Sequence, residues 1–162
     1  MYKIKLLTLS LISLILLSCS KSTSNQNNSK FSIGHIDGEF DGLVLKTLIK
    51  NNLFNIGQYD NESNLIIDAD ISHTSSLFIT NIDNTSDRMN MNSNLSVKII
   101  DQLNECEIYN FDNEISQFYI FADSNQYISN VVAEKKIKEQ NTEELVKEFI
   151  NKITRSEMVC KK

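Results

Sequence analysis

The sequence predicts a two-layer α+β domain, with one mixed or antiparallel sheet of about four strands and two helices on one of its faces, in the order β-α-β-β-β-α. Three observations carry this. Apolar residues recur at three- and four-residue spacing over 40–51 and again toward the C-terminus, the period of an amphipathic helix. Between those segments, successive stretches alternate apolar and polar residues, the period of strands with one buried face. The helical segments are therefore segregated from three consecutive strands, a pattern that suits helices gathered on one side of a sheet.

Each element has its own signal. Residues 31–36 alternate Phe31 and Ile33 with polar neighbours and read as a short strand, punctuated by Asp37-Gly38. Phe40, Leu43, Val44, Thr47 and Leu48 form a helical stripe over 40–51, with Asp37, Glu39 and Asp41 at its start, where acids suit the helix dipole. Asn51-Asn52 and Gly57 end it. A first strand joined to the next through a helix can lie parallel to a neighbour, giving a mixed sheet. In 64–71, Leu65, Ile67, Ala69 and Ile71 share one strand face, and LFITNI (77–82) is expected to continue the strand beyond an interruption at 72–76. DNTSD (83–87) is turn chemistry.

Met89, Met91, Leu95, Val97 and Ile99 then alternate as a long strand closing at 101–105. Over 108–121, Ile108, Asn110, Asp112 and Glu114 are expected on one face, with Ile115, Phe118 and Ile120 supplying the apolar set. From 126 to 155 the helical period returns. Val131, Val132, Leu145, Val146, Phe149, Ile150 and Ile153 are its expected buried stripe, around a charged middle of Lys135, Lys136, Lys138 and Glu139. No internal repeat is visible.

The N-terminus has a different character. Lys3 and Lys5 precede an apolar-plus-hydroxyl run over 6–17, too short for a spanning helix of about 20 residues but suited to a secretory signal. Leu16, Leu17, Ser18 and Cys19 resemble the lipobox of bacterial lipoproteins, with Leu17 standing where a smaller residue is usual. The resemblance implies cleavage after Ser18 and acylation of Cys19, with palmitate among the chains attached. Ser20, where an aspartate would signal inner-membrane retention, implies the outer membrane. SKSTSNQNNSK (20–30) has no apolar side chain and reads as a flexible tether. The expected organisation is a signal at 1–18, lipidated Cys19 and tether at 19–30, a periplasmic domain at 31–155, and a tail at 156–162.

Without residues 1–18 the chain keeps 14 basic against 21 acidic side chains, a net charge of −7, which makes it a poor general binder of nucleic acid. With Cys19 acylated, Cys106 and Cys160 remain as an even pair in an oxidising compartment; a disulfide between them and two free thiols are both consistent with the sequence. DGEFDG (37–42) imitates the opening of a calcium loop, but the twelfth position falls on Leu48, where a bidentate Glu is required. His35 and His73 lack metal-site spacing and read as strand or surface residues. Asp68 and Asp70 share the solvated face of a strand. No nucleophile motif or phosphate loop is present, so neither an enzyme, a cofactor nor a metal site is expected.

The lipobox, the tether and the β-α-β-β-β-α order together resemble the lipopolysaccharide-assembly lipoprotein family. NLIIDADIS (64–72), MNMNSNLSVKIID (89–101) and NVVAEKKIKEQNTEELVKEFINKI (130–153) carry the resemblance. It implies a non-enzymatic outer-membrane lipoprotein on the periplasmic side that partners the lipopolysaccharide-inserting barrel, aiding the barrel's assembly and lipopolysaccharide delivery to the outer leaflet. Members can carry basic residues around the second and third strands; here 72–87 has none before Arg88. Arg88, Lys135, Lys136 and Lys138 are the candidate contacts to the barrel or to lipopolysaccharide, and the lysines read equally as a solvated helix face. The alternative is a lipoprotein that binds a small ligand or serves as an interaction or antigen module.

Overall fold

In the computed structural model, which describes residues 29–79, 87–120 and 127–160, the elements are β1 (Ser32–Asp37), α1 (Glu39–Asn55), β2 (Leu65–Ile79), β3 (Asp87–Asp101), β4 (Cys106–Ile120) and α2 (Tyr127–Ile153). The signal, Cys19, most of the tether and nearly all of the 83–87 turn lie outside the described residues. Strand order is β1-β2-β3-β4, with β1 parallel to β2 and the other pairs antiparallel. Both helices pack on one face and on each other, α1 over β1 and β2 and α2 over β3 and β4. This is the α+β order and layering that the periodicities predict.

The core lies between the layers. Ile67, Ala69 and Ile71 of β2 and Leu95, Val97 and Ile99 of β3 face Leu45, Ile49 and Leu53 of α1 and Leu145, Val146, Phe149, Ile150 and Ile153 of α2. Phe31, Ile108 and Phe111 complete it, with the Phe111 and Phe149 rings 5.6 Å apart. Burying side chains of this size contributes about 1.5–3 kcal/mol each, so this cluster is the main source of stability.

Four expectations are corrected. The second strand is not interrupted at 72–76; β2 pairs with β3 residue by residue from Leu65 to Ile79, because polar residues there satisfy the ladder as well as apolar ones do. On α1 the buried side is Gly42, Leu45, Ile49 and Leu53; of the expected stripe, Phe40 and Leu43 are turned outward, both more than 60% exposed, while Val44 and Leu48 are half-buried. Gly42 accounts for the choice. A Cβ there would lie 2.7 Å from the Asp37 carbonyl oxygen, so only the glycine side of the helix can settle this closely against the end of β1.

On β4 the inward set is Ile108, Phe111, Ile115 and Tyr119, whereas Phe118 and Ile120 point to solvent and are exposed. A register shift between Ile99 and Ile100 leaves Ile108 without a directly opposed partner, so the parity changes at a bulge. On α2, Leu145 to Ile153 supply the buried stripe as expected, but Val131 and Val132 are exposed. Twenty-seven residues make a helix about 40 Å long, and its first half has no α1 residues to pack against beyond the start of that helix.

Candidate functional site

At one end of the sheet, β2, β3 and β4 run past the beginning of α1. There Leu77, Phe78, Phe118, Ile120 and Ile128 are all at least half exposed. Phe78 and Phe118 meet edge to face across the solvent side of the sheet, ring centres 5.4 Å apart. Register places Arg88 between Phe78 and Ile120 on that same side. Its guanidinium makes no ion pair among the described residues. A cation set among exposed aromatic and aliphatic side chains suits a partner with an anionic group beside apolar surface.

The lysines expected to act together are divided. Lys135 and Lys138 line a cleft of about 290 Å³ between the helices, walled by Phe40, Val44 and Val131 and floored by Thr142, while Lys136 is not among its lining residues. Lys138 pairs with Glu134 at 3.1 Å and Lys135 with Glu139 at 3.9 Å, one helical turn apart in each case. The cleft is thus apolar inside with a neutralised rim, and it is not the cationic patch that the sequence suggests.

Beneath it lies a polar cluster that periodicity did not disclose. His73 of β2, its side chain 2% exposed, places Nδ1 2.8 Å from Ser93 Oγ and Nε2 3.5 Å from Thr142 Oγ1. Asn141 Nδ2 donates to the same Ser93 Oγ at 2.9 Å. Asp41 Oδ2 stands 3.9 Å from His73 Nε2. Burial lowers the His73 pKa below its ordinary 6.5, an effect partly opposed by the Asp41 carboxylate and reinforced by Lys138. Serine, histidine and aspartate are together here, but Ser93 is fully buried and receives Asn141's proton, so it is not presented to a substrate. A signal existed in the sequence: His73 and Ser93 both occupy inward positions of their strands, with apolar neighbours two residues away.

The opposite end of the sheet is closed. Cys106 and Cys160 are bonded, fastening the segment after α2 to the start of β4, with Cα atoms 5.7 Å apart. Asp101 Oδ1 accepts from the backbone N–H groups of Leu103 and Asn104, closing the β3–β4 turn. These bonds hold the Asp101 pKa below the usual carboxylate value, the Asn104 side chain contributing most. His35, Asp37, Asp68 and Asp70 lie at the solvent-facing edge of β1 and β2, where His35 pairs with Asp37 at 3.0 Å. Residues 37–42 form the strand-to-helix turn, with Gly38 at φ 114° in the N-cap position.

No family model matches the chain, and no curated protein matches it. Solved structures share its fold. A rare lipoprotein B from Shewanella oneidensis superposes with a TM-score of 0.61 at 11% identity, over 77% of this chain and 93% of its own. A minor lipoprotein from Acinetobacter baumannii gives 0.62 at 14%, over 85% and 98%. Lipoprotein B from Nitrosomonas europaea gives 0.60 at 10%, over 78% and 82%. At such identities the likeness is one of fold: the sheet and two helices found here are those of structurally characterised lipoproteins.

Proposed function

We propose that the protein is an outer-membrane lipoprotein, anchored through acylated Cys19 and facing the periplasm, that partners a lipopolysaccharide-inserting β-barrel and aids its assembly and lipopolysaccharide delivery. The observation that carries the reading is the position of the exposed apolar end. The chain leaves its tether at β1, whose Ser32 pairs with Ile66 at the start of β2. Phe78 lies at the other end of β2, about 40 Å away at 3.3 Å per residue. A domain tethered at one end therefore presents Phe78, Phe118, Ile120 and Arg88 well away from its anchor. Lipopolysaccharide joins acyl chains to phosphates, the two chemistries that these side chains complement. The polar solvent-facing side of the sheet, with Asn92, Asn94, Asp112 and Glu114, is compatible with the polar lumen of a barrel. The fold shared with solved lipoproteins supports the anchored role.

The test is capture of this protein from outer membranes solubilised under conditions that preserve other barrel complexes. A stoichiometric barrel partner is expected, and recovery of the lipoprotein alone overturns the reading. Cys19→Ser is expected to release the protein from the membrane fraction, and persistence there with an unchanged acyl mass would refute the anchor. The cleft between the helices favours a second reading, a lipoprotein binding a small ligand. In that case a bound molecule rather than a barrel accompanies the purified protein.

A further inference from the structure

Beneath the cleft the hydrogen bonds fix the direction of each proton. Thr142 Oγ1 donates to the Lys138 carbonyl at 2.7 Å. With its one proton committed there, Thr142 Oγ1 can only accept from His73 Nε2–H, which leaves Nδ1 of the neutral ring to accept from the Ser93 hydroxyl. The ring proton then resides on Nε2, the nitrogen facing Thr142 and Asp41. Asn141 Oδ1 is left buried and without a partner.

The same atoms admit a second arrangement. An imidazolium donates from both nitrogens, so Nδ1–H would donate to Ser93 Oγ and the serine hydroxyl would turn toward Asn141. Half a turn of that amide presents Oδ1 where Nδ2 stood. The orphaned carbonyl oxygen then gains a donor, and the chain of bonds reverses while the ring stays in place. The new charge on Nε2 faces the Asp41 carboxylate.

We propose that this reversible chain is a proton-operated latch, in which protonation of His73 draws the Asp41 side chain onto the ring and narrows the cleft between the helices. The backbone of the first turn of α1 is already seated on the sheet, where Gly38 lies against Ile71 and Gly42 against Asp37, so the half-exposed Asp41 side chain is the part that can move. The charged groups facing the ring come from both helices. Asp41 of α1 favours protonation, whereas Lys138 of α2 opposes it and is itself paired with Glu134. Lys135 and Glu139 form the other rim pair, and β3 contributes the uncharged Ser93. Burial places the transition below the ordinary histidine pKa of 6.5, so the cleft is open at neutral pH and closes as the pH falls through that lowered value.

Imidazole ¹⁵N and methyl ¹³C NMR of the full chain in detergent micelles test this. At neutral pH His73 is expected as the Nε2–H tautomer, titrating below 6.5. Val44 and Val131, on opposite walls of the cleft, should shift with the same midpoint. Asp41→Asn, on a partly exposed side chain, keeps the core intact; it should lower the His73 midpoint and abolish the methyl shifts. The latch is overturned if the methyl signals stay still while His73 titrates, if they move equally in Asp41→Asn, or if the neutral ring carries its proton on Nδ1.

Discussion

The two ends of this sheet are built from the same three long strands and behave as opposites. Toward the tether, inward positions are Ile67, Ala69 and Ile71, Leu95, Val97 and Ile99, and two helices cover them. Toward the far end, the same strand faces mix the polar His73, Ser93 and Asn113 with Met91, Ile115 and Tyr119, and α2 lies above them with only the first turn of α1. Apolar residues also appear there on the solvent side, as Phe78, Phe118 and Ile120. One end therefore gains stability from its apolar residues, and the other also leaves some of them in solvent, where they suit the contact proposed above.

The sharpest way to break the comparison is to make the same kind of truncation at both ends. Phe149→Ala removes a fully buried ring packed on Phe111 and should cost about 3–5 kcal/mol. Phe118→Ala, at the far end, should cost under about 1 kcal/mol, since its ring gains only an exposed aromatic contact. Chemical denaturation of the two variants measures the difference. Equal losses would mean that the far end is part of the core.

Much of this asymmetry was readable, and where it was not the reason is physical. The lower core is legible because Leu145, Val146, Phe149, Ile150 and Ile153 keep helical spacing and Leu95, Val97 and Ile99 keep strand spacing. α1 misled because it has apolar residues on two sides, and periodicity cannot tell which one the sheet takes; a backbone approach at Gly42 decided it. Phe118 and Ile120 misled because hydrophobicity alone does not tell an exposed apolar residue from a buried one, and the bulge at Ile108 changes which face they take. The lysines at 135 and 138 looked like a patch because their number was weighed and not their spacing, although Glu139 and Glu134 stand four residues from them, the helical pairing distance.

The disulfide sharpens the contrast next. It closes a loop spanning a sequence separation of 54 residues at the tethered end. Replacing Cys106 and Cys160 together by serine should cost about 2–4 kcal/mol. Hydrogen exchange should rise first around residues 101–106 and 153–160, with the far end changing only as much as the global stability does. Preferential loosening of 72–79 would show that the two ends are not separate.

Acid probes the boundary between the ends. Because burial lowers the His73 pKa below 6.5, its contribution is fully present above that pH and is lost as pH falls from 6.5 through the depressed value. Stability should therefore decline on mild acidification, with a slope of at most about 1.4 kcal/mol per pH unit for one proton. His73→Gln should remove that component, leaving the carboxylates' decline at lower pH. Urea midpoints of the two proteins at pH 7 and pH 5.5 check this. A wild-type decline that His73→Gln leaves unaltered would assign it to other groups.

The smallest effect on stability is expected at Arg88, and the largest effect on binding. Its guanidinium has no ion-pair partner among the described residues, and it stands on the solvent face beside Phe78 and Ile120. Replacing it with Glu removes no buried contact, so the thermal midpoint should move by no more than about 0.5 kcal/mol equivalent. Reversing Lys135, Lys136 and Lys138 to Glu breaks one exposed and one half-buried helical pair, worth about 0.3–0.5 kcal/mol each, and sets like charges four residues apart, a larger cost. If the far end recognises phosphate beside acyl chains, Arg88→Glu should weaken binding to lipopolysaccharide vesicles at least tenfold, because it both loses the charge-assisted bonds and adds repulsion. The lysine variant should bind nearly as well as wild type, since its cations are already neutralised by neighbouring acids. The opposite ranking would move the contact surface from the sheet end to the helix, and the comparison between the two ends would lose its functional half.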